Sequence, residues 1–294
     1  MSLGKLGVWA AVDTLSGAEA ASFAQRVEAM GYGALWIPEA FGREVFSSAA
    51  HLLAHTRTLT LASGIANIYA RDPMSAASAN KGLNEASGGR FLLGLGVSHV
   101  PLVEGVRKLE YGKPVPTMRA YLQAMAAAPY KAPLPAQVPK VVLAALGPKM
   151  IELSGEYADG AHPYNTTPEH TAEARKLLGP GKLLCVEQAA VLEADPAKAR
   201  AVARGFLTLY LGLPNYVNAW RRMGFSDADV AGGGSDRLID AVVAWGDERR
   251  IRERIDAHFA AGADHVCVQA LAAPVNGVAQ PDESLLQRLA PKHA

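Results

Sequence analysis

The chain has 294 residues, half of them hydrophobic, and its 29 basic and 28 acidic side chains leave a net charge of +1. A balance this even, with no basic stripe and no aromatic residues interleaved with basic ones, argues against a nucleic-acid partner. The lack of an uncharged apolar run of ~18 residues argues against a membrane span. Met1 to Leu6 carry no charged segment followed by a long apolar core, so a cytoplasmic protein is expected. Cys185 and Cys267 lie far apart inside strand-like runs, fit no metal or redox spacing, and read as buried thiols.

In chain order, Gly7–Val12 reads as a first strand. Ser16-Gly-Ala-Glu19 is a capping box that opens a helix with Ala20, Phe23, Val27 and Met30 on its apolar face, stopped by Gly31. Ala34–Pro38 is a second strand ending at Glu39, residues 47–55 a helix, and Leu59–Ile65 a third strand. Asp72-Pro73 starts a helix that Gly88-Gly89 ends. Residues 90–99, Arg-Phe-Leu-Leu-Gly-Leu-Gly-Val-Ser-His, form an apolar run without alternation, as expected of a strand covered on both faces. Val141–Ala145 is a fifth strand with Pro148 opening a helix at once. Gly160–Tyr164 is a short sixth strand, Thr167-Pro168 caps a helix, and Leu183–Leu192 is a seventh strand. Asp195-Pro196 caps a long helix, Asp247 another, and Ala263–Leu271 is the eighth strand.

Eight strands alternating with helices predict a (β/α)8 barrel forming one domain over residues 1–294. An open doubly wound sheet is the competitor, but eight such units would rarely fit it without a second domain. The stretches 100–116 and 214–246 are too long for plain connections. They read as insertions that shape a pocket.

In a parallel barrel, reactive groups follow the strands. That places Glu39 after strand two, Ser63, Gly64, Ile65 and Ala66 at the end of strand three, and Gly96, Val97 and His99 at the end of strand four. Gly147, Pro148, Lys149 and Met150 follow strand five, and His162 lies in strand six. Glycine at the end of strand three permits close approach of a flat ring. A helix start beside Lys149 suits an anion, although Pro148 has no N–H to offer. Gly94-Leu95-Gly96 lacks the third glycine of a dinucleotide fingerprint. A metal-dependent hydrolase would need a histidine pair after strand one, and His51 and His55 fall on an outer helix instead. Schiff-base chemistry would need a lysine at the catalytic end, whereas Lys140 and Lys182 precede their strands. Chemistry on a bound cofactor survives this elimination.

Residues 31–39 (GYGALWIPE), 61–67 (LASGIAN), 71–73 (RDP), 88–96 (GGRFLLGLG), 146–150 (LGPKM), 158–164 (ADGAHPY) and 262–269 (GADHVCVQ) together resemble the bacterial luciferase-like superfamily of flavin and deazaflavin barrels. Within it, the chain is most similar to the actinobacterial coenzyme F420-dependent oxidoreductases. The resemblance implies a TIM barrel with inserted segments, commonly a homodimer, with the cofactor's tricyclic ring at the C-terminal ends of the strands. It implies a non-prolyl cis peptide at Gly64–Ile65 and a cofactor phosphate near Gly147–Met150. It implies hydride transfer between a deazaflavin and a small organic substrate. An FMN-dependent monooxygenase is the alternative, and a non-catalytic cofactor-binding barrel a third reading. Several deazaflavin enzymes carry a histidine after strand two, where this chain has Glu39, and some carry a glutamate after strand four, where it has His99. Hydride transfer at a carbon bearing oxygen also moves a proton, and histidine suits that near neutral pH without tuning whereas a carboxylate needs burial, so His99 is expected to donate or accept the proton, with Glu39 orienting it or the substrate. The small residues of the helix after Pro73 suit a dimer interface.

Overall fold

The computed structural model describes residues 3–273 and 280–291, so Met1 and Ser2 of the leader reading, and the far end of the single-domain reading, lie outside it. Ten strands form one sheet: β1 (Leu6–Trp9), β2 (Ala34–Ile37), β3 (Thr60–Ser63), β4 (Ala66–Asn67), β5 (Phe91–Gly96), β6 (Val141–Ala144), β7 (Gly160–His162), β8 (Leu183–Leu192), β9 (Ala244–Gly246) and β10 (His265–Leu271). All pairings between these strands are parallel, and β10 pairs with both β8 and β1, which closes the barrel. β3 and β4 share one barrel position against β5, so eight positions are filled, and β9 adds to the far end of β8.

Twelve α-helices follow in the described residues: α1 (Gly17–Ala29), α2 (Val45–His55), α3 (Pro73–Ser87), α4 (Pro114–Ala127), α5 (Pro148–Tyr157), α6 (Pro168–Leu178), α7 (Pro196–Leu211), α8 (Pro214–Arg222), α9 (Asp227–Val230), α10 (Asp236–Val242), α11 (Glu248–Ala260) and α12 (Glu283–Leu289). The sequence signals act as expected. Ser16 and Glu19 form the capping box of α1, Asp72 caps α3 with Pro73 at its first turn, and Gly88 ends α3 in the left-handed conformation. α2 starts two residues earlier than the sequence suggested, because the Glu44 carboxylate caps the N–H groups of Phe46 and Ser47.

The strands are shorter than their apolar runs. The run 90–99 is a strand only over Phe91–Gly96, since Ser98 takes a positive φ of 58° and a π-helical turn begins at Pro101. The run 59–65 breaks after Ser63, and residues 263–264 precede β10 rather than belong to it. The insertion 214–246 ends in sheet, because ten-residue β8 outruns β7 and its last residues, Ala190–Leu192, pair with Ala244–Gly246. Sequence patterning also passed over α4, whose apolar face (Met118, Tyr121, Leu122, Met125) is interrupted by alanines.

The N-terminal rim of the barrel is fastened by partly buried charge. The Arg90 guanidinium donates to the carbonyls of Leu53, Leu59 and Ser87 and to the Thr56 hydroxyl. Arg175 does the same for Gly179, Lys182 and Gly262. The Glu28 carboxylate gathers three successive N–H groups, Arg57 to Leu59. Charge-assisted bonds to backbone are among the stronger ones available. They hold the rim opposite the one where the site forms.

Candidate active site

Glycines make the site possible. A Cβ on Gly94 would stand 2.0 Å from the Ser63 carbonyl oxygen, and one on Gly96 would stand 2.5 Å from the Ile65 side chain. Without those atoms β3 can press against β5. The Ser63 hydroxyl then donates to Gly94 O and accepts from Gly94 N–H, both at 2.8 Å, carrying the pairing past the last ladder residue. The peptide between Gly64 and Ile65 is cis, as the resemblance implied. Ile65 comes to lie over Gly96, in the wall of a cavity of about 500 Å³ at the C-terminal ends of the strands.

That cavity gathers most of the candidates. Ile65, Gly96, Val97, His99, Gly147, Pro148, Lys149, Met150 and His162 all line it. Ser63, Gly64 and Ala66 do not. Ser63 and Ala66 are fully buried behind the wall, and Gly64 packs against the Trp9 indole. Their contribution is to shape the wall rather than to contact a ligand. A larger cavity of about 770 Å³ opens outside the barrel between α5, α6 and the insertion, and shares Leu146, Pro148 and Arg222 with the first. It lies away from the strand ends and His99.

Glu39 stands apart. Its carboxylate accepts from Arg71, from Val45 N–H at 3.3 Å and from Asn67 N–H at 2.8 Å. The side chain is only 4% exposed, that of Arg71 10%, and Glu39 is not among the cavity residues. This carboxylate anchors β4 and the loop before α2 to Arg71. Glu39 is thus bonded to neither His99 nor any other residue of the cavity wall.

His99 follows the positive-φ Ser98. Its imidazole lies near the Asn215 side chain and 5.8 Å, centre to centre, from the Tyr216 ring. Burial pushes its pKa below the ordinary histidine value, and Asn215 only partly offsets that. His162 is fully buried and stacked at 4.3 Å on Trp36. Burial brings its pKa down to about 4, while its Nδ1 bond to the Cys185 carbonyl opposes the shift. With Nδ1–H donated to that carbonyl, Nε2 carries the lone pair. Neither imidazole is charged at neutral pH.

The charged groups on the cavity wall are Lys149 and Arg222, with no carboxylate facing them there. Pro148 has no N–H and Met150 N–H goes to Gly147 O, which leaves Lys149 N–H as the open donor of the first turn of α5. Arg222 reaches the same corner: a Cβ on Gly147 would stand 3.4 Å from its guanidinium. An apolar slot with cations and a helix start at one corner fits a flat ring carrying an anionic group.

Sequence reasoning missed the wall that α8 supplies. Asn215, Tyr216, Asn218 and Arg222 all come from this one helix, and Tyr111 comes from the earlier insertion. The only signal was the unexplained length of these segments, which carries no information on which face turns inward. His51 and His55 bond to backbone carbonyls on the outer ring, Lys182 bonds the Ala158 carbonyl, and among the described residues no group of three could hold a metal ion. Cys185 and Cys267 are free and buried. No helix among the described residues is long and apolar enough to cross a membrane.

Residues 2–265 match the family model described as luciferase-like monooxygenase. A Mycobacterium tuberculosis protein assigned by name to the coenzyme F420-dependent oxidoreductases, Rv3520c, is 26% identical over 92% of this chain and 95% of its own. Among solved structures, the coenzyme F420-dependent tetrahydromethanopterin reductase of Methanopyrus kandleri superposes with a TM-score of 0.72 at 18% identity, covering 91% of this chain and 93% of that one. The FMN complex of the oxygenating constituent of 3,6-diketocamphane monooxygenase from Pseudomonas putida, a type II Baeyer–Villiger enzyme, superposes with a TM-score of 0.68 at 14% identity over 97% and 96%.

The Glu39–Arg71 pair gives a direct expectation. Removing one partner of a buried ion pair typically costs ~3–5 kcal/mol. Glu39→Ala should lower stability by about 3 kcal/mol or more in urea denaturation. A loss below about 1 kcal/mol would show that the carboxylate is not holding this part of the barrel.

Proposed function

Because the chain belongs to the luciferase-like monooxygenase family, we propose that it is a deazaflavin-dependent oxidoreductase, with coenzyme F420 as its cofactor and a small organic molecule as substrate. The observation that carries this reading is the cavity at the strand ends, apolar along its length with Lys149 and Arg222 at one corner. It is supported by full-length similarity to an F420-dependent relative. FMN is the second reading, since an FMN monooxygenase shares the fold and the ribityl phosphate of FMN would suit the same corner.

In this reading Lys149, the Lys149 N–H and Arg222 hold the phosphate, while Ile65, Gly96 and Val97 form the face against which the ring lies. When bound, the deazaflavin accepts or supplies a hydride and does not activate oxygen, so a reductase or dehydrogenase fits better than a monooxygenase. Hydride transfer at a carbon bearing oxygen also moves a proton. His99 takes or gives that proton, since it is neutral at pH 7 and lines the cavity beside Asn215. Glu39 acts at a distance by fixing Asn67 and β4 behind the wall. We further propose that the protein works as a cytoplasmic homodimer joined through α3, whose Met74 is exposed among small residues.

Four measurements test this reading. Oxidised and reduced F420 and FMN, each added to the protein, should quench tryptophan emission, because Trp36 stacks on the cavity residue His162. F420 should bind more tightly than FMN, and the reverse order would favour the monooxygenase. His99→Ala should keep cofactor affinity within about threefold and lose ~10²–10⁴-fold in turnover. In the substrate-oxidising direction His99 must be unprotonated. With its pKa lowered, kcat/KM should hold steady below pH 6.5 and fall only on further acidification, an acid limb that His99→Ala lacks. Light scattering should report twice the 31.0 kDa chain mass, and a 31.0 kDa species alone would reject the dimer.

A further inference from the structure

Beneath the cavity, inside the barrel, lies a carboxyl group that the reading above does not use. Glu187 on β8 is 1% exposed. The regular pairing of β7 with β8 ends at Ala161 and Leu184. Beyond that point Glu187 takes over with two bonds: its N–H donates to Pro163 O at 3.1 Å, and its Oε2 accepts Asn165 N–H at 3.0 Å. Between those two anchor points sits Tyr164, which lines the cavity, and just before them sits His162. Asn165, held in the left-handed conformation at φ 56°, passes its carbonyl to the Trp220 indole N–H at 3.0 Å. Trp220 belongs to α8, the helix that carries Asn215 and Tyr216 to His99. One side chain therefore grips the loop from which two cavity residues project, and through Asn165 it reaches the helix that lies beside His99.

We propose that Glu187 is a positioning residue for the cavity and performs this role as the neutral acid. Its second oxygen, Oε1, is buried with no hydrogen-bond partner. Among the described residues no cation is paired with it, and the titratable groups near it are Tyr164 at the exit of β7, Tyr210 on α7, Tyr216 on α8 and Cys267 on β10. The proximity of Glu187 contributes to raising all four above their ordinary values, so all are uncharged at neutral pH. A carboxylate near three phenols and a thiol, with one backbone N–H for compensation, costs far more than the acid form, whose only loss is one unpartnered O–H. Burial accordingly pushes Glu187 up to about 8 against the opposing Asn165 bond. Tyr164 donates to Gln269 at 2.6 Å and so accepts from Tyr210 at 2.9 Å, which leaves its hydroxyl without a second proton for an ionised neighbour. Ionisation would place an uncompensated charge under this chain and loosen the Tyr164–Asn165 loop.

The proposal rests on the cavity being the cofactor site, but its first readouts need no cofactor. Wild type, Glu187→Gln and Glu187→Ala should be titrated from pH 6.5 to 9.5. The infrared difference between wild type and Glu187→Gln should show a protonated-carboxyl band at pH 6.5 that is gone at 9.5. Near-ultraviolet circular dichroism of the apoprotein should change through pH 8 in wild type and stay flat in Glu187→Gln, which keeps the shape without the charge. With F420, or with FMN if that binds better, wild-type affinity should fall about tenfold more than that of Glu187→Gln over the same range. Glu187→Ala should be weak throughout. Absence of the band at pH 6.5, or identical dichroism profiles for wild type and Glu187→Gln, overturns the proposal. If neither cofactor binds wild type at any pH, the cofactor reading fails, and the infrared and dichroism results still decide the role of Glu187.

Discussion

The site depends on two missing Cβ atoms. Gly94 and Gly96 leave β5 bare where β3 and its continuation cross it, and the Ser63 carbonyl and the Ile65 side chain occupy that space. Everything behind the wall follows from this close approach. The Ser63 hydroxyl takes over the hydrogen bonds that the ladder drops, Glu39 catches Asn67 N–H where β4 resumes, and Arg71 neutralises Glu39. Any side chain at Gly94 would have to displace backbone, which a close-packed interior resists. The wall is thus set by packing, with hydrogen bonds satisfying what packing leaves open.

Charge is distributed with the same division of labour. On the rim opposite the cavity, Arg90, Arg175 and Glu28 are consumed by backbone groups, consistent with a purely structural face. At the strand ends, the cations on the cavity wall meet no carboxylate there. The two histidines on the cavity wall, His99 and His162, have their pKa values lowered by burial and are uncharged at neutral pH.

The barrel interior is more polar than its apolar strands suggest. Tyr164, Tyr210 and Gln269 form a partly buried hydrogen-bonded group at the cavity, bounded by Trp9 and Tyr216, and Glu187 is buried near it. Such a group is specific to one arrangement, because a partly satisfied polar cluster is costly in any other. It also joins the insertion to the barrel: Trp220 of α8 bonds to Asn165, whose own N–H is held by Glu187.

The sequence alone determined the architecture. Caps and prolines marked helix starts, unbroken apolar runs marked strands buried on both faces, and their alternation left a closed parallel barrel as the arrangement that buries them all. The barrel in turn assigns chemistry to residues after strands, so His99, His162 and Gly147–Met150 were legible as cavity residues. Only the tertiary structure decided which neighbours those residues have. Glu39 follows its strand as closely as His99 does, yet its side chain turns to Arg71 and the backbone of β4. Ser63 and Gly64 sit at a strand end yet serve the wall from behind. The inward face of α8 and the isolation of Glu187 depend on how an inserted helix docks, and that is fixed by long-range packing and desolvation. Neither leaves a period in the chain: Glu187 falls in an apolar strand, and nothing local to it specifies whether its carboxyl will meet a cation, water or three phenols.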